Sequence, residues 1–178
     1  MSMDKPSRKD SIDLTTLRRD NGLFYLPTED TLFTGFYHWF YDNGIIAEEG
    51  YIKEGKYHGL VSIYDQEGNL LVKAYYYNGK KNGKVQMFYK NGQLKAEFTL
   101  INEKREGTMK MWYENGKKKY EAFFVNDKLN GKQIKYYENG KKHIEVEYKD
   151  NVEHGLKIVY KENGEKLFEG FFDNGELI

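Results

Sequence analysis

The sequence predicts an all-β protein, a repeat array of six 24-residue β-hairpins that form one extended, twisted and curled antiparallel sheet. Three observations support this fold class. Glycines recur every 24 residues in two series, an aromatic residue follows each glycine of the first series by five residues, and Asn-Gly separates the two halves of most units. A fixed period of roughly 20 to 50 residues is the signature of a repeat architecture.

The two glycine series set the boundaries of the units. The first series lies at positions 35, 59, 83, 107, 131 and 155, and the second at 44, 68, 92, 116, 140 and 164. The six units are therefore residues 35–58, 59–82, 83–106, 107–130, 131–154 and 155–178.

The first half of each unit carries two columns, meaning positions that recur once per unit. The aromatic column consists of Phe40, Tyr64, Phe88, Trp112, Tyr136 and Tyr160. The asparagine column consists of Asn43, Asn91, Asn115, Asn139 and Asn163, with Glu67 as the one departure. Asn-Gly between aromatic-rich runs predicts a two-residue type I′ turn, because both residues tolerate positive φ. The return from each unit to the next is predicted to be longer and looser than this turn.

The second half of each unit carries a charged column and an apolar column. The glutamate column consists of Glu49, Lys73, Glu97, Glu121, Glu145 and Glu169, and the apolar column of Ile52, Tyr76, Leu100, Phe124, Tyr148 and Phe172. Columns that keep separate positions over six units predict strands with two distinct faces.

A two-residue turn assigns these columns to faces, because paired residues share a face. The first face then carries the aromatic column, the glutamate column and Lys117, Lys119 and Lys141. The second face is more apolar and is expected to be the more buried; it carries Val61, Ile63, Val72, Ala74, Val85, Met87, Ala96, Leu100, Met109, Met111, Tyr120, Ala122 and Phe124. Curling of the sheet, dimerisation or the N-terminal segment would cover it, and we favour curling. A three-residue turn with a glycine bulge would instead shift the pairing by one residue and exchange the faces.

The segment before the first unit predicts a lead-in and a cap. Residues 1–17 form a polar lead-in that is expected to be flexible, and within it residues 11–17 form either one helical turn or an extended segment. Residues 18–34 form a capping half-repeat, with a turn at Asn21-Gly22 and a strand over residues 23–26, that is expected to cover the first edge of the sheet.

The composition excludes several classes of function. Lys plus Arg and Asp plus Glu balance at 28 each, which argues against a nucleic-acid partner. No cysteine is present, so disulfides and thiolate metal sites are excluded. No apolar run approaches the ~18 residues of a membrane span, and the opening MSMDKPSRKD lacks the apolar core of a signal peptide. The sequence as it stands is therefore expected in the cytoplasm, or exported or periplasmic if a native leader was removed.

No catalytic, cofactor or metal site is predicted. His38, His58, His143 and His154 occupy three different columns without ligand spacing. The glutamate column resembles paired carboxylates, but a catalytic pair has no reason to be copied in every unit. Cross-strand pairing with lysines explains it better.

These columns, read as G-x4-aromatic-Tyr-x-N-G followed by a Glu-bearing strand and N-x-K-x-x-G, resemble the MORN repeat. Units such as YENGK at residues 113–117 are similar to the variant class common in bacteria, and DNGLFYLP with LFTG resembles the segment that precedes the repeats in antitoxin-like members. The resemblance covers residues 22–178. It implies a β-hairpin array that binds a protein partner or, in other MORN proteins, lipid headgroups.

The sequence thus predicts a non-enzymatic module that engages a protein partner, as a bacterial antitoxin or immunity-type protein bound to a cognate toxin. The aromatic column is the candidate partner-binding set. Alternatives are a membrane-surface module for acidic lipid and an exported, self-associating surface protein. The candidate anion or lipid contacts are Lys117, Lys119, Lys141 and Lys142, although Glu114 and Glu138 are expected beside Lys117 and Lys141.

Overall fold

The structure is a computed structural model in which residues 10–178 are described, and it divides into two compact units, Met1–Gly83 and Lys84–Ile178. What was predicted for residues 1–9 lies outside the described residues. Within the described part the chain forms strands, turns and one 3₁₀ helix but no α-helix, which confirms the all-β class and the array of antiparallel hairpins.

In its described residues, from 10 onwards, the first unit contains eight complete strands. They are β1 (Ile12–Asp13), β2 (Arg18–Asp20), β3 (Leu23–Tyr25), β4 (Gly35–Phe40), β5 (Ile46–Lys53), β6 (Lys56–Tyr57), β7 (Gly59–Tyr64) and β8 (Leu70–Tyr77), with the 3₁₀ helix at Leu14–Thr16. The strand order is β1-β4-β5-β7-β8, β6 also pairs with β5, and β2 and β3 form a separate two-stranded sheet. Among the strand pairs of the described part of this unit, only β1–β4 is parallel.

The second unit is a run of antiparallel neighbours. It contains the end of β9 (Lys80–Phe88), followed by β10 (Leu94–Ile101), β11 (Lys104–Trp112), β12 (Lys118–Val125), β13 (Lys128–Tyr136), β14 (Lys142–Lys149), β15 (Val152–Tyr160), β16 (Lys166–Asp173) and β17 (Glu176–Leu177). Each strand pairs with the next along the chain.

Each hairpin reverses at a three-residue turn that ends in a left-handed glycine. In repeat 107–130, the Tyr113 N–H donates to the Lys117 carbonyl (2.8 Å) and the Gly116 N–H to the Tyr113 carbonyl (2.9 Å). Gly116 has a φ of 80°, whereas Asn115 is not among the residues with positive φ. The same pattern closes the turns at residues 41–45, 65–69, 89–93, 137–141 and 161–165. The predicted two-residue type I′ turn is therefore wrong, because Asn115 uses its side chain rather than its backbone: its Oδ1 accepts the Lys117 N–H (3.0 Å).

A β-bulge just after this turn restores the register. Trp112 pairs with Lys118, but Met111 pairs with Tyr120, so Lys119 is the extra residue. A two-residue turn would pair Trp112 with Lys119 and Glu114 with Lys117, and the structure contains neither pair; the expected pairing of Glu114 with Lys117 is therefore wrong. The next pair on the same face, Lys110 with Glu121, is the one that a two-residue turn would give. The three-residue turn therefore does not exchange the faces, because the bulge cancels its shift.

The return turns between hairpins are the tight ones. Asn126 and Asp127 have φ values of 50° and 68°, and they connect the paired residues Val125 and Lys128. Two consecutive residues with positive φ in a two-residue loop make a type I′ turn. Both φ values are likewise positive at 21–22, 54–55, 78–79, 102–103, 150–151 and 174–175. The prediction of a longer, looser return is wrong, since Asn, Asp and Gly adopt this conformation at low cost.

The second face is buried in the first unit by the N-terminal segment. Leu17, Phe24 and Phe33 form one cluster with Tyr37 and Ile52 of the sheet. Of the alternatives for residues 11–17, the structure contains both, an extended β1 followed by the 3₁₀ turn. The edge of β4 pairs with Ile12–Asp13, so this edge is covered by a segment that precedes the expected cap at 18–34.

The second face of the second unit is also the more buried one, as predicted. The side chains of Ala96, Ala122 and Phe124 are each exposed by 3% or less. Val85, Leu100 and Val146 are buried as well. Met87 differs from the prediction, because it is exposed.

Consecutive repeats are joined by hydrogen bonds from a column of tyrosines. The Tyr113 hydroxyl donates to the Tyr136 carbonyl at 2.7 Å. The same bond joins Tyr41 to Tyr64, Tyr89 to Trp112 and Tyr137 to Tyr160. Each bond reaches the aromatic-column residue of the next repeat. Such a hydrogen bond typically adds about 0.5–1.5 kcal/mol to the free energy of unfolding.

The asparagine column forms a second ladder along the turns. The Asn115 Nδ2 donates to the Glu138 carbonyl (3.1 Å), while its Oδ1 is held by its own turn. Asn43, Asn91 and Asn139 make the equivalent bond to the next turn. Where Glu67 replaces asparagine, Asp65 Oδ1 accepts the N–H groups of Glu67 (3.0 Å) and Asn69 (2.9 Å) instead. Asp65 stands at the position of the tyrosine column in this repeat, and it thus compensates for Glu67 within one turn.

We expect Tyr113→Phe to lower the free energy of unfolding by about 0.5–1.5 kcal/mol, because it removes the hydroxyl that bonds the next repeat. Tyr136→Phe is the matched control, since its ring is also half-buried and no side-chain hydrogen bond is found for its hydroxyl among the described residues. Urea denaturation of both variants measures the difference. Equal losses of unfolding free energy in the two variants would contradict a stabilising role for the hydrogen bonds of the tyrosine column.

Candidate partner-binding face

The aromatic column lies on the first face, half-buried in five repeats and exposed at Phe40 (38%). Its cross-strand partners are the residues two positions after the turn glycine: Ile46, Leu70, Lys118, Lys142 and Lys166 face Phe40, Tyr64, Trp112, Tyr136 and Tyr160. These partners were not predicted, because a two-residue turn places the residue three positions after the glycine opposite the aromatic side chain. The alternative three-residue turn with a glycine bulge shifts the pairing by one residue and places Lys118 opposite Trp112.

The first face of the first unit is organised in three rows across β4, β5, β7 and β8. One outer row pairs Phe36 with Tyr51 and Leu60 with Tyr75; the other pairs Phe40 with Ile46 and Tyr64 with Leu70. The middle row pairs His38 with Glu49 and Ser62 with Lys73, and Glu49 also with Ser62. Two apolar rows therefore flank a polar one.

A groove of about 740 Å³ lies on this face. Its lining comprises Ser11, Phe36, Tyr37, His38, Phe40, Ile46, Glu49, Gly50, Tyr51, His58, Gly59 and Leu60. The Phe36 and Tyr51 rings meet edge to face at 5.0 Å, and the Phe40 ring lies 4.7 Å from that of His38. Glu49 Oε1 accepts the Tyr64 hydroxyl (2.9 Å), and Ser11 Oγ contacts His38 Nδ1 (2.8 Å).

The first face of the second unit is charged instead. Glu145 Oε1 accepts the Lys132 Nζ–H (2.6 Å), and its Oε2 pairs with Lys142. Glu121 lies 2.9 Å from Lys118 Nζ and 3.8 Å from Lys110 Nζ. A smaller depression of about 340 Å³ is lined by Thr108, Glu121, Ala122, Phe123, Lys132 and Ile134. The predicted pairing of the glutamate column with lysines is thus present here.

The ion pairs shift the ionisation of Glu145. Burial opposes its ionisation, but the hydrogen bonds from Lys132 and Lys142 outweigh burial and hold the pKa of its carboxyl below the ordinary value. The same hydrogen bond to Glu145 raises the pKa of Lys142. The pair of Glu145 and Lys142 is therefore more stable when both side chains are charged than when both are neutral.

The four candidate lysines are already in contact with groups of the chain. Lys117 Nζ donates to the Asn139 carbonyl (3.0 Å) and Lys141 Nζ to the Asn163 carbonyl (2.6 Å), so both extend the turn ladder. Lys142 pairs with Glu145. Lys119 Nζ lies 5.3 Å from the Tyr113 ring centroid.

Residues 10–178 contain no group of three or more His, Asp and Glu side chains that is arranged to hold a metal ion. The four histidines are dispersed: His38 lies at the groove, His58 against Tyr77 (5.4 Å), His143 against Tyr137 (4.3 Å) and His154 beside Asp173 (3.0 Å). In the same residues no helix has the length and apolar character needed to span a membrane.

The fold defines a protein that is built of antiparallel β-hairpin repeats. The sequence profile of the MORN repeat variant matches residues 57–78, 81–102, 105–126 and 129–150. These segments begin 24 residues apart, and the chain therefore carries four tandem MORN-variant repeats. MORN repeats are generally modules that bind proteins or membranes, and the family is a non-catalytic repeat module. No curated protein shows a significant match to the chain.

We expect the stabilisation by Glu145 to depend on pH. Because its pKa is lower in the folded than in the unfolded chain, its contribution is full above the unfolded value of about 4.3 and is lost as the pH falls through the folded pKa. The difference in unfolding free energy between wild type and Glu145→Gln should be at most about 1 kcal/mol at pH 6, because both lysines are half exposed, and smaller at pH 3.

Denaturant unfolding at both pH values measures this difference. Glu103→Gln is the control, since Glu103 lies exposed in a return turn. A Glu145→Gln difference that stays constant or grows as the pH falls would contradict the assigned ion pairs.

Proposed function

We propose that the chain is a non-enzymatic binding module whose first face captures a protein partner. The observation that carries the proposal is the aromatic column, whose large side chains are half-buried in five repeats and exposed at Phe40. Aromatic side chains contribute much of the binding energy at protein interfaces. Trp112 and Tyr136 are the residues from which we expect the largest contributions.

The burial pattern supports the first face over the second. Small and apolar side chains such as Ala122 and Phe124 are already buried on the second face. The first face keeps Phe123, Tyr75 and Phe40 exposed by 38–46%. Exposed apolar side chains that are rimmed by charged residues are typical of interaction sites.

The charge pattern supports a protein over an acidic lipid surface. Lys142 is paired with Glu145, and Lys117 and Lys141 donate to backbone carbonyls. A mixture of both charges on one surface weakens attraction to an anionic membrane, which needs several unopposed cations. The same mixture suits a protein surface of complementary charge.

We further propose that the partner is a cognate toxin, so that the chain acts as a bacterial antitoxin or immunity-type protein in the cytoplasm. The support is the resemblance of DNGLFYLP at residues 20–27 and LFTG at residues 32–35 to the segment that precedes the repeats in antitoxin-like proteins. Co-expression with the small protein encoded beside its gene tests this: growth should be rescued by the wild-type chain. Absence of rescue together with salt-sensitive sedimentation on acidic vesicles would contradict it and favour the lipid alternative.

We expect Trp112→Ala and Tyr136→Ala each to weaken partner binding by at least about tenfold, which is typical of aromatic interface residues. Met87→Ala is the control, because Met87 is an exposed apolar residue of the second face and should change binding less than about twofold. Titration calorimetry with the purified partner measures the three affinities, and circular dichroism checks that each variant folds. Equal effects of the three substitutions would contradict binding through the first face.

A further inference from the structure

Ten asparagines of the chain are followed directly by glycine, and their hydrogen bonding differs. They are Asn21, Asn43, Asn78, Asn82, Asn91, Asn115, Asn130, Asn139, Asn163 and Asn174. Asparagine is a thermally labile residue, and a following glycine has no Cβ to hinder the approach of its backbone nitrogen to the asparagine side chain. All ten pairs can therefore form a cyclic imide, and the hydrogen bonds of the folded chain determine which pair reacts first.

The five pairs at the hairpin turns are held at both reacting groups, the glycine amide and the asparagine carboxamide. In repeat 107–130 the Gly116 N–H donates to the Tyr113 carbonyl (2.9 Å), and Asn115 Oδ1 accepts the Lys117 N–H (3.0 Å). The same two bonds are made at Asn43, Asn91, Asn139 and Asn163. Because the glycine nitrogen must lose its proton and the carboxamide must turn towards it, both bonds have to open before these pairs react.

Four further pairs have a glycine that is held by the sheet or by a return turn. After Asn78 and Asn174, the glycine N–H donates to a carbonyl of the preceding repeat at 2.9 Å. Gly83 and Gly131 lie inside the strands β9 and β13. Reaction at these pairs requires a strand or a bonded turn to open.

The tenth pair, Asn21-Gly22, is free at both groups. Its two residues are exposed in the turn between β2 and β3, with φ values of 48° and 79°. Among residues 10–178, no hydrogen bond is found for the Gly22 N–H or for the Asn21 side chain. A Cβ placed on Gly22 would have no described atom within 4 Å, so the turn is not crowded by the chain around it.

The hairpin that carries this turn can also open locally. The strands β2 and β3 have three residues each and form a two-stranded sheet of their own. Such hairpins are marginally stable in water. The buried Phe24 anchors this one, since its N–H donates to the Gly55 carbonyl (3.0 Å). Opening of the turn separates only the pair of Asp20 and Leu23 next to it and leaves Phe24 in place.

We propose that Asn21 is a site of spontaneous deamidation in the folded chain and that the reaction loosens the capping hairpin. The deprotonated Gly22 nitrogen attacks Asn21 Cγ; the new Cγ–N bond forms, the Cγ–Nδ2 bond breaks, and ammonia leaves with the proton that the solvent took from Gly22. Water then opens the imide. Opening at the backbone carbonyl gives isoaspartate, opening at Cγ gives aspartate, and water is the only other reactant.

The isoaspartate product changes the main chain of the turn. It inserts one methylene into a two-residue type I′ turn, whose geometry depends on two residues with positive φ. It also places a second carboxylate beside Asp20. Closure of the pair Asp20–Leu23 is lost, and the packing of Phe24 against Tyr37 and Ile52 of the sheet is weakened. This modification goes beyond the proposed binding function and does not depend on it.

Peptide mapping of the full chain tests the site. The protein is incubated in warm buffer at about pH 8 and digested, and the asparagine, aspartate and isoaspartate peptides are separated by chromatography with mass spectrometry. Asn21 should react at least about tenfold faster than Asn115, because the pair at Asn115 must first open two hydrogen bonds. Equal rates at the two sites in the folded chain would overturn the proposal.

Incubation in concentrated guanidinium chloride is the control for the role of the structure. The rates at Asn21 and Asn115 should then differ by less than about threefold, since unfolding removes the protecting bonds. A preference for Asn21 that persists in the unfolded chain would overturn the assignment of protection to the hydrogen bonds of the turns.

Amide hydrogen exchange tests the effect on the cap. In the deamidated chain, the Phe24 amide should exchange at least about tenfold faster than before incubation, while the Gly116 amide of the second unit is unchanged. Incubated Asn21→Gln is the matched control, because its longer side chain forms the cyclic imide much more slowly, and it should keep Phe24 protected. Unchanged exchange at Phe24 in the isoaspartate form would overturn the loosening of the cap.

Freshly purified Asn21→Asp separates the added methylene from the added charge, and it still decides if Asn21→Gln does not fold. It carries the new carboxylate on a normal backbone, so its Phe24 amide should exchange within about threefold of the wild-type rate. An exchange rate as high as that of the isoaspartate form would overturn the role of the inserted methylene.

Discussion

The structure depends on the register of its hairpins, because a slip of one residue would move every aromatic side chain to the opposite face. Two local features, which shift the pairing in opposite directions, keep this register. The left-handed turn glycine, Gly116 in repeat 107–130, makes a three-residue turn that offsets the strands, and the bulge at Lys118–Lys119 removes the offset. Beyond the bulge, the strands pair as if the turn had two residues. All other features of the two faces follow from this cancellation.

The turns also carry the bonds between repeats. Because Asn115 holds its own turn through Oδ1, its amide nitrogen is free to donate to the following turn. Tyr113 adds a second bond to the strand end of the next repeat. The residues that close each hairpin are therefore the ones that fix its neighbour. This arrangement leaves the opposite ends of the strands to the return turns.

The sequence was sufficient for the period, the fold class and the apolar face, since glycine spacing and apolar columns follow directly from strand geometry. It was insufficient for the turns, because Asn and Gly favour both a type I′ turn and a three-residue turn that ends in glycine. The two possibilities differ in the φ of Asn115 and in whether Tyr113 or Glu114 pairs with Lys117, and residue identity determines neither. The role of Ile46 beside Phe40 was missed for the same reason, since it depends on which residue is bulged.

One column changes the character of the first face along the chain. Ile46 and Leu70 give way to Lys118, Lys142 and Lys166 while the aromatic column persists beside them. A constant scaffold thus carries a variable surface, because the side chain opposite the aromatic residue can change without altering the turn. Repeat proteins generally separate scaffold and binding positions in this way.

Amide hydrogen exchange at the turn of repeat 107–130 tests the central claim most directly. The three-residue turn predicts a protected Gly116 amide, bonded to the Tyr113 carbonyl, beside a rapidly exchanging Glu114 amide. A two-residue type I′ turn would instead pair Glu114 with Lys117. Protection of Glu114 together with rapid exchange at Gly116 would therefore contradict the account.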